Sequence, residues 1–148
     1  MSRLACAVFF VLFSALPKTT LAVETQRQFA DYTVYWSIFD STFVTPEVAA
    51  AHGIKRSQYE NLLNVSVVPV GSGAAVAAKV NGSRTNLMQQ QRKLVFQEIK
   101  ESDARYYLAP MTVTSEEVVH VELQIQPEGS EEILTVKFST TLYPATKP

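Results

Sequence analysis

Apolar and polar residues alternate along much of this chain. Residues 32–39, YTVYWSIF, place Val34, Trp36 and Ile38 on one face and Thr33, Tyr35 and Ser37 on the other. That period of two predicts a half-buried strand. The clearest cases lie late in the chain. In 118–126, VVHVELQIQ, Val119, Val121, Leu123 and Ile125 point one way and His120, Glu122, Gln124 and Gln126 the other. Pro127-Glu128-Gly129-Ser130 turns the chain, after which Leu134, Val136, Phe138, Thr140 and Leu142 share a face opposite Thr135, Lys137 and Ser139. Strict alternation predicts antiparallel strands with one wet and one buried face.

Four more strands are predicted at 63–70, 75–80, 92–100 and 105–113. Pro69 cannot donate a ladder hydrogen bond, so 63–70 is expected at a sheet edge, or Pro69 at a strand end. Asn81-Gly82 reads as a tight turn closing 75–80. One short helix is predicted over 45–53, TPEVAAAHG. Thr45 suits its N-cap, Pro46 its first position, Glu47 the positive end of its dipole, and Gly53 a left-handed close. At least seven short strands with frequent turns predict a mainly β, antiparallel β-sandwich with one short helix near residues 46–52. The tail from Pro144 to Pro148 is expected to fray.

The first 22 residues break this pattern. Arg3 precedes the apolar run Leu4–Leu16, and Pro17-Lys18 end it. Thr20-Leu21-Ala22 places small residues at the −3 and −1 positions, so a signal peptide cleaved after Ala22 is expected, with residues 23–148 forming one sandwich domain. Thirteen helical residues reach only about 20 Å, short of a ~30 Å hydrocarbon core, and no later stretch is apolar for long enough to span it. The expected location is the periplasm. The one cysteine, Cys6, lies within the signal, so the exported chain is expected to hold no disulfide, thiol nucleophile or cysteine metal site.

Charge narrows the function classes. Removing residues 1–22 takes Arg3 and Lys18 and no acid, leaving 11 basic against 14 acidic residues, a net charge of −3. A polycationic footprint for nucleic acid is missing. His52 and His120 form no local ligand-spacing motif, so neither a metal nor a cofactor is expected. Glu116-Glu117 and Glu131-Glu132 are adjacent on strand-like segments and so point to opposite faces; they read as solubilising charge beside strands. Gly71-Ser72-Gly73 precedes a strand rather than a helix, so it is not a phosphate loop. The one concentrated positive turn is Lys55-Arg56-Ser57, past the helix. With Tyr35 and Tyr59 expected near the surface, Lys55 and Arg56 make a candidate interaction patch for an anionic partner. The remaining aromatics, Phe43 included, are expected mostly in the core, with Tyr106 and Tyr107 pointing to opposite faces.

Five segments together resemble one bacterial family. They are VYWSIFDSTFVTPEVAAAHGIKRS at 34–57, NVSVV at 64–68, AAKVNG at 77–82, RYYLAP at 105–110, and ELQIQPEG followed by a Phe and a Tyr-Pro. The string is similar to the domain-of-unknown-function family 4426, over about residues 26–144. The resemblance implies a small exported gammaproteobacterial protein with an immunoglobulin-like fold, and it implies no activity. The family's first strand often carries His-Tyr-Asn where this chain has Tyr35-Trp36-Ser37, so no functional residues carry over. The leading expectation is a non-enzymatic binding or interaction module of the cell envelope, with an envelope protein or polymer as partner. The alternatives are a β-sandwich binding a small apolar ligand or lipid, and an enzyme with dispersed catalytic residues.

Overall fold

The computed structural model describes residues 25–146. The expected signal peptide, Cys6 and the cleavage point after Ala22 lie outside them. The described residues build two antiparallel sheets. The strands are β1 (Gln26–Gln28), β2 (Tyr32–Asp40), β3 (Glu60–Pro69), β4 (Ala78–Asn86), β5 (Gln91–Leu94), β6 (Gln97–Glu101), β7 (Ala104–Thr112), β8 (Glu117–Pro127) and β9 (Leu134–Leu142). The first sheet has the order β1-β2-β3-β7-β6 and the second β5-β4-β8-β9. A 3-10 turn at Ser41–Phe43 and the helix α1, Pro46–His52, link β2 to β3.

The faces follow the alternation. Val34, Trp36, Leu63, Val65, Val67, Ala109 and Met111 face inward from the first sheet. Leu94, Val119, Val121, Leu123, Ile125, Leu134, Val136 and Leu142 meet them from the second. Each full burial of such a side chain contributes roughly 1.5–3 kcal/mol against the cost of ordering it. Trp36 of β2 stacks on Phe138 of β9 with centroids 5.1 Å apart, one aromatic contact tying sheet to sheet. Tyr107 also reaches across: its hydroxyl accepts from the Ala78 amide at 2.7 Å, which pins the start of β4 to β7.

The helix forms as its sequence dictates. The Thr45 side chain accepts from the Val48 amide, Pro46 opens the first turn, and Gly53 closes it at φ 63°. Gln97 donates to the His52 carbonyl at 2.8 Å, and Glu101 lies 3.6 Å from the His52 ring. Gln97, Ile99 and Glu101 share the outer face of the first sheet, so α1 lies over that face, where Leu62, Ile99 and Leu108 are buried.

Several expectations are corrected. Residues 63–70 are an edge only in their second half: β3 pairs with both β2 and β7 up to Val65, whereas Ser66 to Pro69 pair with β2 alone and Pro69 ends the strand opposite Tyr32. Asn81-Gly82 is not a turn. Both lie inside β4, paired with Gln124 and Leu123. The segment 92–100 is not one strand. Leu94 and Phe96 turn to the core while Ile99 is buried on the outer face, a parity no single strand satisfies, so the chain changes sheets between β5 and β6. The tail is held at least as far as Ala145, whose amide donates to the Gln58 carbonyl at 2.7 Å. Phe43, expected in the core, is 75% exposed.

Candidate functional site

The inward row of β4 reads Val80, Gly82, Arg84, Asn86. Its first half packs into the apolar core. The second half is polar, and so is its surround at that end of the sandwich. The register places Arg84 opposite both Val121 of β8 and Arg92 of β5. Glu117 opens the inward row of β8. Thr112 and Val113 close the gap from the end of β7. The core thus ends in a cluster of charged and amide side chains between the sheets.

Arg84 is the centre of that cluster. Its side chain is only 7% exposed. Nη2 donates to the Thr112 carbonyl at 2.6 Å. Nη1 is buried and has no hydrogen-bond partner. Its nearest carboxylate oxygen, Glu117 Oε2, is 3.7 Å away, too far for a good hydrogen bond. Burial lowers the guanidinium pKa from its ordinary value; Glu117 opposes that shift and Arg92 adds to it. The group nonetheless stays protonated at physiological pH. Two arginines directly opposite on adjacent strands repel each other. Among the described residues Arg92 has no carboxylate within ion-pair distance.

Asn86 organises the surroundings. Its Nδ2 donates to Glu117 at 3.1 Å and to Gln90 at 2.8 Å, and its Oδ1 accepts from the Met88 and Gln90 amides. These bonds shape the β4–β5 hairpin tip, where Gln89 takes φ 62°. The tip holds Leu87 and Met88 out in solvent, Met88 at 74% exposure. Between the tip and the 112–118 segment lies a cleft of about 370 Å3, lined by Arg84, Asn86, Met88, Arg92, Thr112 and Glu117 among others. Beside it a void of about 10 Å3 is bounded by Arg84, Asn86, Gln90, Arg92 and Glu117.

The strand ends show what else gathers here. β2 ends, β3 begins, β7 ends, β8 begins and β9 ends at this same pole. Phe43, Tyr59, Leu87, Met88 and Tyr143 therefore all lie around it. They are five of the ten exposed large apolar side chains among the described residues, so exposed apolar surface is concentrated at one end.

Three residues of the expected patch fall at that pole. Lys55, Arg56 and Tyr59 are exposed on the loop after α1. Ser41 holds this loop by a reciprocal pair of bonds with Ser57, 2.9 and 3.0 Å, and Arg56 donates to the Thr42 carbonyl at 3.2 Å. The Tyr59 carbonyl accepts from Val113, a cleft residue, at 2.8 Å. Tyr35 does not join them. It is exposed opposite Ser66, seven positions along β3 from Tyr59, or about 23 Å.

The histidines lie apart, on different layers of the fold. His52 is at the end of α1. His120 is on the outer face of the second sheet, 2.6 Å from Ser139 Oγ, in a shallow groove with Glu122 and Lys137. Glu122 is drawn to Lys137 at 3.4 Å. Among the described residues no three His, Cys, Asp or Glu side chains gather where a metal could sit. Glu117, read as solubilising charge, instead faces the buried Arg84. Arg84 itself went unrecognised because the turn assigned at Asn81-Gly82 cut the row that leads to it.

A family model described as "Domain of unknown function (DUF4426)" matches residues 26–145. The chain belongs to this family. A crystal structure of a DUF4426 protein from Pseudomonas aeruginosa PAO1 is similar over 82% of this chain and 95% of that one, with TM-score 0.75 and 29% identity. Two structures of FetP from uropathogenic Escherichia coli strain F11 share the fold. A copper-bound variant has TM-score 0.61 at 10% identity, and the protein as isolated has 0.58 at 11%; both cover 82% of this chain, and 95% and 94% of their own. No curated protein matches the sequence.

Proposed function

We propose that this protein is an exported, non-enzymatic binding module of the bacterial cell envelope, and that it contacts its partner with the pole that carries the Arg84 cleft. The observation that carries the reading is a buried guanidinium, Arg84, with one nitrogen unbonded beside a cleft ringed by exposed apolar side chains. Such a group is costly to bury unless something pairs with it. The exposed Met88, Leu87, Phe43 and Tyr59 add the apolar contact area that partners use. Lys55 and Arg56 extend the positive charge along the same pole. Arginines keep their protons at working pH, so they hold anions rather than shuttle protons. Neither histidine lines the cleft. Export is supported by the signal-like pattern of residues 1–22, and the periplasm by the as-isolated FetP, which was expressed in that compartment.

Photo-cross-linking in the envelope tests the reading. A photoreactive residue at Met88 is expected to trap a discrete adduct, while one at Ile133, also exposed but at the opposite pole, is not. Adducts at Ile133 alone, or equally at both, would refute the assignment.

A further inference from the structure

We propose that the cleft takes a single carboxylate borne on an apolar stem. The inference rests on the reading of this cleft as a binding site and names what the site selects. Arg84 has one Nη2 donor committed to Thr112. It leaves Nη1 free, and Arg92 stands on the adjacent strand with its charge unmatched. A carboxylate has two oxygens, one for each guanidinium, and charge-assisted bonds of this kind are the strong ones.

The charge count sets the ligand's valence. Glu117 already faces Arg84, and Glu116 also lines the cleft. Two arginines against these two carboxylates leave no net positive charge, so an anion is held locally by Nη1 and Arg92, and a dianionic phosphate monoester meets more repulsion than a carboxylate does. The walls set the rest of the ligand. Leu87, Met88 and Val118 line the same cleft and offer apolar contact beyond the charged floor. Access needs no backbone change. The void against Arg84 has about the volume of one water. Two of its walls, Gln90 and Arg92, are exposed, so side-chain rotation joins it to the cleft. A fatty acid and the last residue of a polypeptide both supply this chemistry.

Calorimetry on the exported protein tests the inference with octanoate, octyl phosphate, methyl octanoate, and a pentapeptide ending in Leu with a free or amidated C-terminus. Octanoate or the free-acid peptide is expected to bind, and the tighter of the two identifies the source. The ester and the amide are expected not to bind, and octyl phosphate to bind about tenfold more weakly. Arg92→Gln and Arg84→Met should each raise Kd by about tenfold or more, and Tyr35→Ala should leave it unchanged. Arg92 is exposed, so its variant remains informative even if Arg84→Met fails to fold. If octyl phosphate binds more tightly than either carboxylate, the ligand class is wrong while the anion site stands. If neither carboxylate shows arginine-dependent binding, the inference is overturned, and the Met88 cross-link alone decides the broader reading.

Discussion

Gly82→Ala should destabilise this protein although Gly82 lies in a strand, where glycine is ordinarily unfavourable. A Cβ built at Gly82 would lie 2.7 Å from Leu123 Cδ2 and 2.9 Å from the Glu122 carbonyl oxygen, with Phe96 at 3.4 Å. The leucine methyl can give way, but the carbonyl belongs to the central ladder of the second sheet and cannot move alone. Overpacking of this kind costs about 1–3 kcal/mol. The alanine reduces unfolded-chain entropy and returns about 0.4–1 kcal/mol. The net expectation is a loss of about 1–2 kcal/mol. For a domain of this size that lowers Tm by roughly 3–10 °C. The assay is urea unfolding followed by circular dichroism, with the denaturant slope unchanged. Gly73→Ala is the control, since a Cβ there meets nothing within 4 Å and the backbone is not left-handed. It should be neutral or slightly stabilising. Equal stability of Gly82→Ala and wild type would refute the close-approach account of β4.

Three further variants test other contacts of the sandwich. Phe138→Leu removes the stacked ring from Trp36, the only tryptophan, and should cost about 1–2 kcal/mol while red-shifting the emission of that residue. Tyr107→Phe leaves the Ala78 amide without its acceptor and should cost about 1–3 kcal/mol, read by the same urea titration. Burial, the largest cause, raises the Tyr107 pKa above its ordinary 10.0, so the folded state favours the neutral phenol. The stability this confers is fully present below pH 10 and is lost as pH rises through the folded value; Tyr107→Phe should flatten that alkaline decline. Glu117→Gln removes the charge facing Arg84 and should lower stability by about 1–2 kcal/mol, less than a fully buried pair because Glu117 is one-third exposed. A variant as stable as wild type would mean the pair contributes nothing.

The layered architecture was legible because it rests on local alternation. Val119 to Ile125 and Leu134 to Leu142 bury the faces their spacing predicts, and α1 begins and ends at the residues that cap it. What failed was long-range. Pro69 is compatible with an edge or a strand end, and only the pairing of β3 with its two neighbours shows that it is both. Asn-Gly is a turn signal when nothing else demands a glycine. Here the approach of Leu123 demands one, and that contact is forty-one positions away. The strand β1 is three polar residues, Gln26–Gln28, with no pattern to detect. The site was missed for the same reason as the strand that bears it. Extended through Gly82, the alternation from Val80 would have pointed Arg84 into the core and marked a buried cation. The patch at Lys55, Arg56 and Tyr59 lies at the pole with the cleft, whereas Tyr35 could be separated from it only by the register of β2 on β3.

The measurement that bears most directly on this account is a crystal structure of the protein isolated from the cells that make it, with what it binds there retained. A ligand anion is expected within hydrogen-bonding distance of Arg84 Nη1 and the Arg92 guanidinium, with its apolar part against Met88. A ligand seated elsewhere, for example in the groove between His120 and Lys137, with only water beside Arg84, would contradict it.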